Sequence, residues 1–261
     1  MPRVAVIGGG LAGLASAVAL GSAGFEVDIY EARNFLGGRA TSWPVGPSTD
    51  GADGEMIDNC QHILLRCCVN LIDFYQRLGV AESIRWHPEY IFIEPGGRRS
   101  VMRAGMLPAP LHFTGSFGSL KFLNLSEKLA VARGLLAIRQ ESGRTDLDQI
   151  SMQQWLVEHR QPPRAIERFW RQILVSAISE ELDRTAASHG FQVFRLAFLA
   201  TSNAYEMGVP AVPLGELYRS DAWAKLGAVS MKLRTQCRIA GRRRRKTLPC
   251  PCVWAVRSTG R

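Results

Sequence analysis

No run of this 261-residue sequence reaches the ~18 uninterrupted apolar residues that a membrane-spanning helix needs. Cysteine is sparse. Cys60, Cys67 and Cys68 follow no disulfide framework, and Cys237, Cys250 and Cys252 offer zinc no obvious fourth ligand, so no metal site is expected. That usage suits a reducing, cytoplasmic setting. Internal repeats are lacking. Acidic residues are missing from 234 onward, where Arg234, Arg238, the run Arg242–Lys246, Arg257 and Arg261 carry the whole net charge of +9. The body is therefore neutral. Because the basic run has no interleaved aromatics, it predicts a solvated tail rather than a specific nucleic-acid site.

Glycine, by contrast, is placed with purpose. Val4-Ala5-Val6-Ile7 reads as a short strand that runs into Gly8, Gly10 and Gly13 at the start of a helical pattern. Gly8 suits a tight turn, Gly10 a close backbone approach to a pyrophosphate, and Gly13 the packing of the helix onto the strand. The helix N-terminus then presents unpaired N–H groups and the positive end of its dipole. Glu26 to Tyr30 reads as a second strand, and Glu31 follows the first glycine at roughly the 20-residue interval expected of a ribose-binding acid. These features predict a dinucleotide site. They also explain residues 4–20 better than a secretory signal does.

The stretch from Glu31-Ala32 to Gly37-Gly38-Arg39 resembles the signature of the flavin-containing amine oxidase and phytoene desaturase superfamily. The resemblance implies FAD, with Ala32, Gly38 and Arg39 joining Gly8, Gly10, Gly13 and Glu31 as cofactor-binding residues. Two glycines let the chain pass close to a cofactor, and the arginine can neutralise a phosphate.

Further along, Pro44 to Gly54 reads as a loop and Ile63 to Leu78 as a helix. Ile91 to Glu94 reads as a strand turned by Pro95-Gly96-Gly97. Ser126 is the expected N-cap of a helix over 127–140, and Ser151 with Gln154 has capping-box spacing. Long helical patterns follow from Arg164 to Glu181 and from Phe191 to Leu199.

Asp58 to His62, Leu107 to His112, Glu167 to Trp170 and Tyr205 to Pro210 resemble the hydroxysqualene dehydroxylases, FAD-dependent enzymes of bacterial hopanoid synthesis. The likeness runs from residue 3 to about 219. It implies conversion of hydroxysqualene to squalene, a hydrophobic isoprenoid substrate, and peripheral association with the cytoplasmic face of the inner membrane. Another isoprenoid enzyme of the phytoene desaturase type is the alternative. So is an inactive fragment whose basic tail binds nucleic acid or lipid.

Within this likeness His62 is the candidate proton donor for the departing hydroxyl. Asp58 is a candidate flavin contact or a helix cap, and Gln61 could orient His62. Phe169, Trp170 and Phe194 read as core or as ligand wall, and His112 as a surface histidine or a substrate neighbour.

The expected architecture is α/β. A Rossmann-like FAD-binding domain occupies 1–100, a mostly helical substrate region 101–219, and a disordered, unrelated basic tail 220–261. The family's cofactor segment near the C-terminus has no counterpart here, so the chain reads as C-terminally truncated, with weak or absent flavin binding and little dehydroxylase activity expected.

Overall fold

The structure, a computed structural model, describes residues 2–46, 55–60 and 62–218, together with the backbone of 231–234, 237–241 and 254–258. Strand β1 (Arg3–Ile7), helix α1 (Leu11–Ser22) and strand β2 (Glu26–Tyr30) form the opening βαβ unit. β1 and β2 pair in parallel, Arg3 opposite Glu26 and Ile7 opposite Tyr30. Small residues let α1 lie close to this sheet and bury Leu14, Ala17, Val18 and Gly21.

The chain continues through β3 (Ser42–Val45) and β4 (Glu55–Asp58), an antiparallel pair, then β5 (Leu64–Leu65) and α2 (Val69–Leu78). The helix expected over 63–78 thus starts late. Leu64 and Leu65 pair instead with Gly208 and Met207, and the Arg66 and Cys67 amides donate to Glu206 and Ala204. This long-range ladder overrides a helical periodicity that the local sequence does carry.

Strands β6 (Ile84–His87), β7 (Glu89–Ile93) and β8 (Arg99–Arg103) follow. Helices come next: α3 (Thr114–Gly118), α4 (Leu125–Gln140) and α5 (Met152–Glu158). The cap of α4 is Asn124 rather than Ser126; its side chain accepts from the Glu127 amide while Glu127 accepts from its own. Asn is as good a cap as Ser, and the spacing to a glutamate three residues on decides between them. Ser151 and Gln154 do close the expected capping box on α5.

The pattern from Arg164 to Glu181 becomes α6 (Pro163–Ala165), a π-helical turn (Ile166–Trp170) and α7 (Arg171–Ile178). Helix α8 (Ala187–Phe194) runs into a second π-helical turn (Arg195–Leu199), and β9 (Met207–Pro210) ends this region.

Two compact units result. The first comprises 1–63, 68–85 and 209–261, and the second comprises 64–67 and 86–208. The helical unit begins at 86 rather than 101 because the β7–β8 hairpin packs into its core: Tyr90 donates to the Tyr205 carbonyl, and Phe92 meets Phe122 at 5.0 Å. That core is built on Trp155, Leu156, Trp170, Leu174 and Phe194, all fully buried.

Residues past 219 also differ from expectation. Strand β10 (Met231–Arg234) pairs in parallel with β2, giving a three-stranded sheet in the order β1-β2-β10, and β11 (Cys237–Gly241) pairs antiparallel with β12 (Trp254–Ser258). The second edge of β2 needs hydrogen-bond partners, and a strand from beyond the helical unit supplies them. Gln61, Arg242 to Lys246 and the cysteines at 250 and 252 lie outside the described residues.

Candidate dinucleotide site

The site is built within the first unit, where the chain leaves β1. Gly8 holds φ +102°, a conformation that side chains rarely tolerate, and its amide donates to the Tyr30 carbonyl at 2.8 Å. A Cβ on Gly13 would lie 1.9 Å from the Gly8 carbonyl oxygen, so helix and turn can approach this closely only without one. Gly10 is different. Its φ of −77° and ψ of 174° suit any residue, and a Cβ there would find nothing nearer than the Gly38 Cα at 4.0 Å. Nothing among the described residues requires glycine at 10.

The Gly37-Gly38 pair comes directly alongside. Gly37 forms a parallel bridge with Gly10 and donates to the Gly9 carbonyl at 2.8 Å. Both glycines adopt positive φ, +96° and +65°. Among the described residues no side chain caps the N-terminus of α1, whose first amides stay available to an anion. An open, glycine-lined cradle at a helix N-terminus fits a pyrophosphate.

Glu31 stands at the end of β2, as expected, and is already engaged. One carboxylate oxygen accepts from the Gly9 amide at 2.6 Å and the other from the Arg33 amide at 2.8 Å. An ionised carboxylate has about four acceptor positions, so capacity for ribose hydroxyls remains. Arg39 is exposed, and its guanidinium has no partner among the described residues, leaving it available for phosphate. Ala32 is exposed beside Glu31.

Asn59 was not singled out by the sequence, yet it fixes this loop. Its side-chain amide donates to the Arg39 carbonyl, its own backbone amide donates to Thr41, and Trp43 donates to its side-chain oxygen. Ser42 is a second such residue. Its hydroxyl donates to Asp58 and accepts from the Gly215 amide, while the same Asp58 oxygen accepts from the Leu214 amide at 3.0 Å. Asp58 therefore acts as a cap on the 3-10 turn Leu214–Tyr218. Tyr218 in turn packs against Gly37, where a Cβ would lie 2.8 Å from its ring, and shares a hydrogen bond with Tyr75 at 3.1 Å. No periodicity or motif marks these contacts.

His62 has its Nδ1 2.8 Å from the Cys60 carbonyl, so half of its hydrogen-bonding capacity serves the local backbone. In the helical unit His112 is buried, not a surface residue, and neither ring nitrogen has a hydrogen-bond partner among the described residues. Burial pushes its pKa down. Its ring packs on Phe113 at 4.1 Å, with Tyr205 at 6.2 Å.

The same unit contains an apolar cavity of about 230 Å³. Phe113, Phe117, Phe169, Phe194 and Phe198 line it, with Thr114 and Arg139 as its polar members. Phe169 and Phe194 thus serve as both core and wall, whereas Trp170 is fully buried and belongs to the core, its indole N–H donating to Gln161.

Residues 11–206 match the family described as flavin containing amine oxidoreductase, three quarters of the chain. The chain belongs to that family. FAD is its cofactor, as the resemblance carried by the stretch from Glu31 to Arg39 had implied.

Among curated relatives, zeta-carotene desaturase from Synechocystis is 30% identical over 214 residues, 77% of this chain and 42% of that protein. Carotenoid phi-ring synthase from Streptomyces griseus is 30% identical over 222 residues, covering 81% and 41%. The 15-cis-phytoene desaturase of Synechococcus elongatus is 30% identical over 62% of this chain and 34% of its own length. The chain therefore spans less than half the length of these relatives. An oxidoreductase from Methanosarcina mazei shares the fold with a TM-score of 0.61 at 20% identity, over 92% of this chain and 52% of that one. A putrescine oxidase variant does so with a TM-score of 0.59 at 19% identity, over 91% and 51%.

Proposed function

We propose that this chain binds FAD in the cradle between Gly8–Gly13 and Gly37–Arg39 and belongs to an oxidoreductase acting on an isoprenoid. The observation that carries the reading is Gly10, a glycine that neither backbone conformation nor packing explains but that an approaching pyrophosphate does. In this reading Gly10 and Gly38 give the phosphates access to the backbone, the α1 N-terminus and Arg39 offset their charge, and Glu31 takes the ribose hydroxyls. Bound FAD supplies two-electron redox chemistry.

The finer reading is reduction of hydroxysqualene to squalene. It rests on the middle motifs, from Asp58–His62 to Tyr205–Pro210, and on an apolar cavity suited to hydrocarbon. His62 is the candidate proton donor to the leaving hydroxyl through Nε2, its Nδ1 being held by Cys60.

A second reading is carotenoid desaturation, favoured by the names of the relatives at 30% identity. The two run in opposite redox directions, which makes them separable. Hydroxysqualene consumes two electrons and yields squalene and water, whereas a carotene gives two electrons up. The test is to load the chain with FAD and supply either pre-reduced flavin with hydroxysqualene or oxidised flavin with zeta-carotene. Squalene formed in the first reaction supports the dehydroxylase. A new polyene absorbance in the second, with no squalene in the first, replaces it with the desaturase.

A further inference from the structure

The apolar cavity of the helical unit has two ends of different character. Its floor is formed by Met102, Phe169, Phe194 and Phe198, none more than 6% exposed. Its rim carries Leu111, Thr114, Leu136 and Arg139, all of them exposed. Buried side chains thus close one end, and solvent reaches the other.

Arg139 is the one charged side chain that lines the cavity, and no carboxylate accompanies it. It stands in the last turn of α4 and has no ion-pair or hydrogen-bond partner among the described residues. The nearest acid in sequence, Glu141, is committed to Arg144, Trp155 and His159. Thr114, the polar neighbour on the rim, spends its hydroxyl proton on the Leu111 carbonyl at 2.7 Å. The side-chain donor left to meet a ligand here is a guanidinium.

These features select a ligand by polarity and by sign. Whatever enters the floor must be apolar, because a polar group buried there would find no side-chain partner. A head group at the rim meets a cation with no competing acid, beside an apolar wall that strengthens its attraction. An ammonium head would face that same cation without a counter-ion. A phosphate, with nearly two charges, suits an arginine cluster rather than one side chain. A carboxylate carries a single charge, and its two oxygens match the planar guanidinium through parallel N–H bonds.

We propose that this cavity binds an alkyl carboxylate, a fatty acid, with the tail among the phenylalanines and the head group on Arg139. The proposal concerns the helical unit alone and does not rest on the isoprenoid reading. The cavity, at about 230 Å³, falls below the size that encloses a drug-like ligand, so a chain of medium length suits it.

The test is calorimetric titration of the full chain with octanoate at a pH well above the carboxylate range. Octanol and octyltrimethylammonium, which share its tail, and the shorter hexanoate are titrated beside it, all below micelle-forming concentrations. No flavin or turnover is needed, so the outcome is independent of which reaction the protein performs. Octanoate is expected to bind saturably and at least tenfold more tightly than octyltrimethylammonium. It should also exceed hexanoate by roughly tenfold, the effect of two more buried methylenes. Arg139→Gln should lose at least tenfold in octanoate affinity and leave octanol unchanged. Arg133→Gln, at an exposed arginine of the same helix that does not line the cavity, should keep the wild-type affinities. Both arginines are on the surface, so thermal melts should match the wild type. Absence of saturable octanoate binding would overturn the proposal, as would equal affinity for the three octyl compounds or for the two chain lengths. Octanoate binding that survives Arg139→Gln, or that falls equally in Arg133→Gln, would overturn it too, by removing the head group from Arg139.

Discussion

Gly13 and Gly8 meet so closely that one added carbon on Gly13 would lie 1.9 Å from the Gly8 carbonyl oxygen. This contact locks the start of α1 against the turn that ends β1, and the obstacle is backbone, which cannot swing aside. Gly13 is thus a glycine of the fold, and Gly10, three residues earlier, a glycine of the ligand.

Gly13→Ala is accordingly expected to destabilise the protein by about 1–3 kcal/mol, the usual cost of overpacking a tight site, with or without cofactor. Urea unfolding of the FAD-free protein checks it. An unchanged midpoint would show that helix and turn have room the structure does not display.

Removing the Glu31 carboxylate leaves the Gly9 and Arg33 amides without their acceptor. Glu31→Ala should cost about 1–3 kcal/mol of stability and weaken FAD by tenfold or more. Glu31→Gln, which retains one acceptor oxygen, should lose less of the stability while still losing affinity. FAD titrations of the three proteins, beside their urea melts, separate the two effects.

His112 gives stability a pH dependence. Burial depresses its pKa, and neither ring nitrogen finds a partner to favour the charged form. Below about 6.5 the unfolded chain binds a proton that the folded one refuses. The contribution is therefore complete above that pH and is lost as the pH falls towards the folded-state value. His112→Leu should flatten the stability curve below about pH 6.5 relative to wild type. Parallel curves for the two proteins would contradict this.

The opening βαβ unit was legible because its requirements are local. Gly8 needs a positive φ, Gly13 a missing side chain, and β1 the apolar run Val4–Ile7, and each need falls on residues close in sequence. The errors share a different cause. Leu64 and Leu65 leave the helical pattern because Met207 and Gly208 offer them a ladder, and β10 is a strand because β2 has a free edge, with some 200 residues between the partners in the latter case. Ser42, Asp58 and the Leu214 amide are likewise brought together only by the fold. At Asp58 the sequence left a flavin contact and a cap both open; its Oδ1 accepts from the Leu214 amide and the Ser42 hydroxyl.

The most direct measurement of the central claim is FAD binding by wild type and by Gly10→Val, with both proteins melted without cofactor. Because a Cβ at 10 would meet nothing nearer than the Gly38 Cα at 4.0 Å among the described residues, the two should unfold at the same temperature and denaturant concentration. The account predicts that wild type shows saturable flavin binding and that Gly10→Val binds FAD at least tenfold more weakly. Equal affinity in the two proteins, or no flavin binding by the wild type at all, would contradict it.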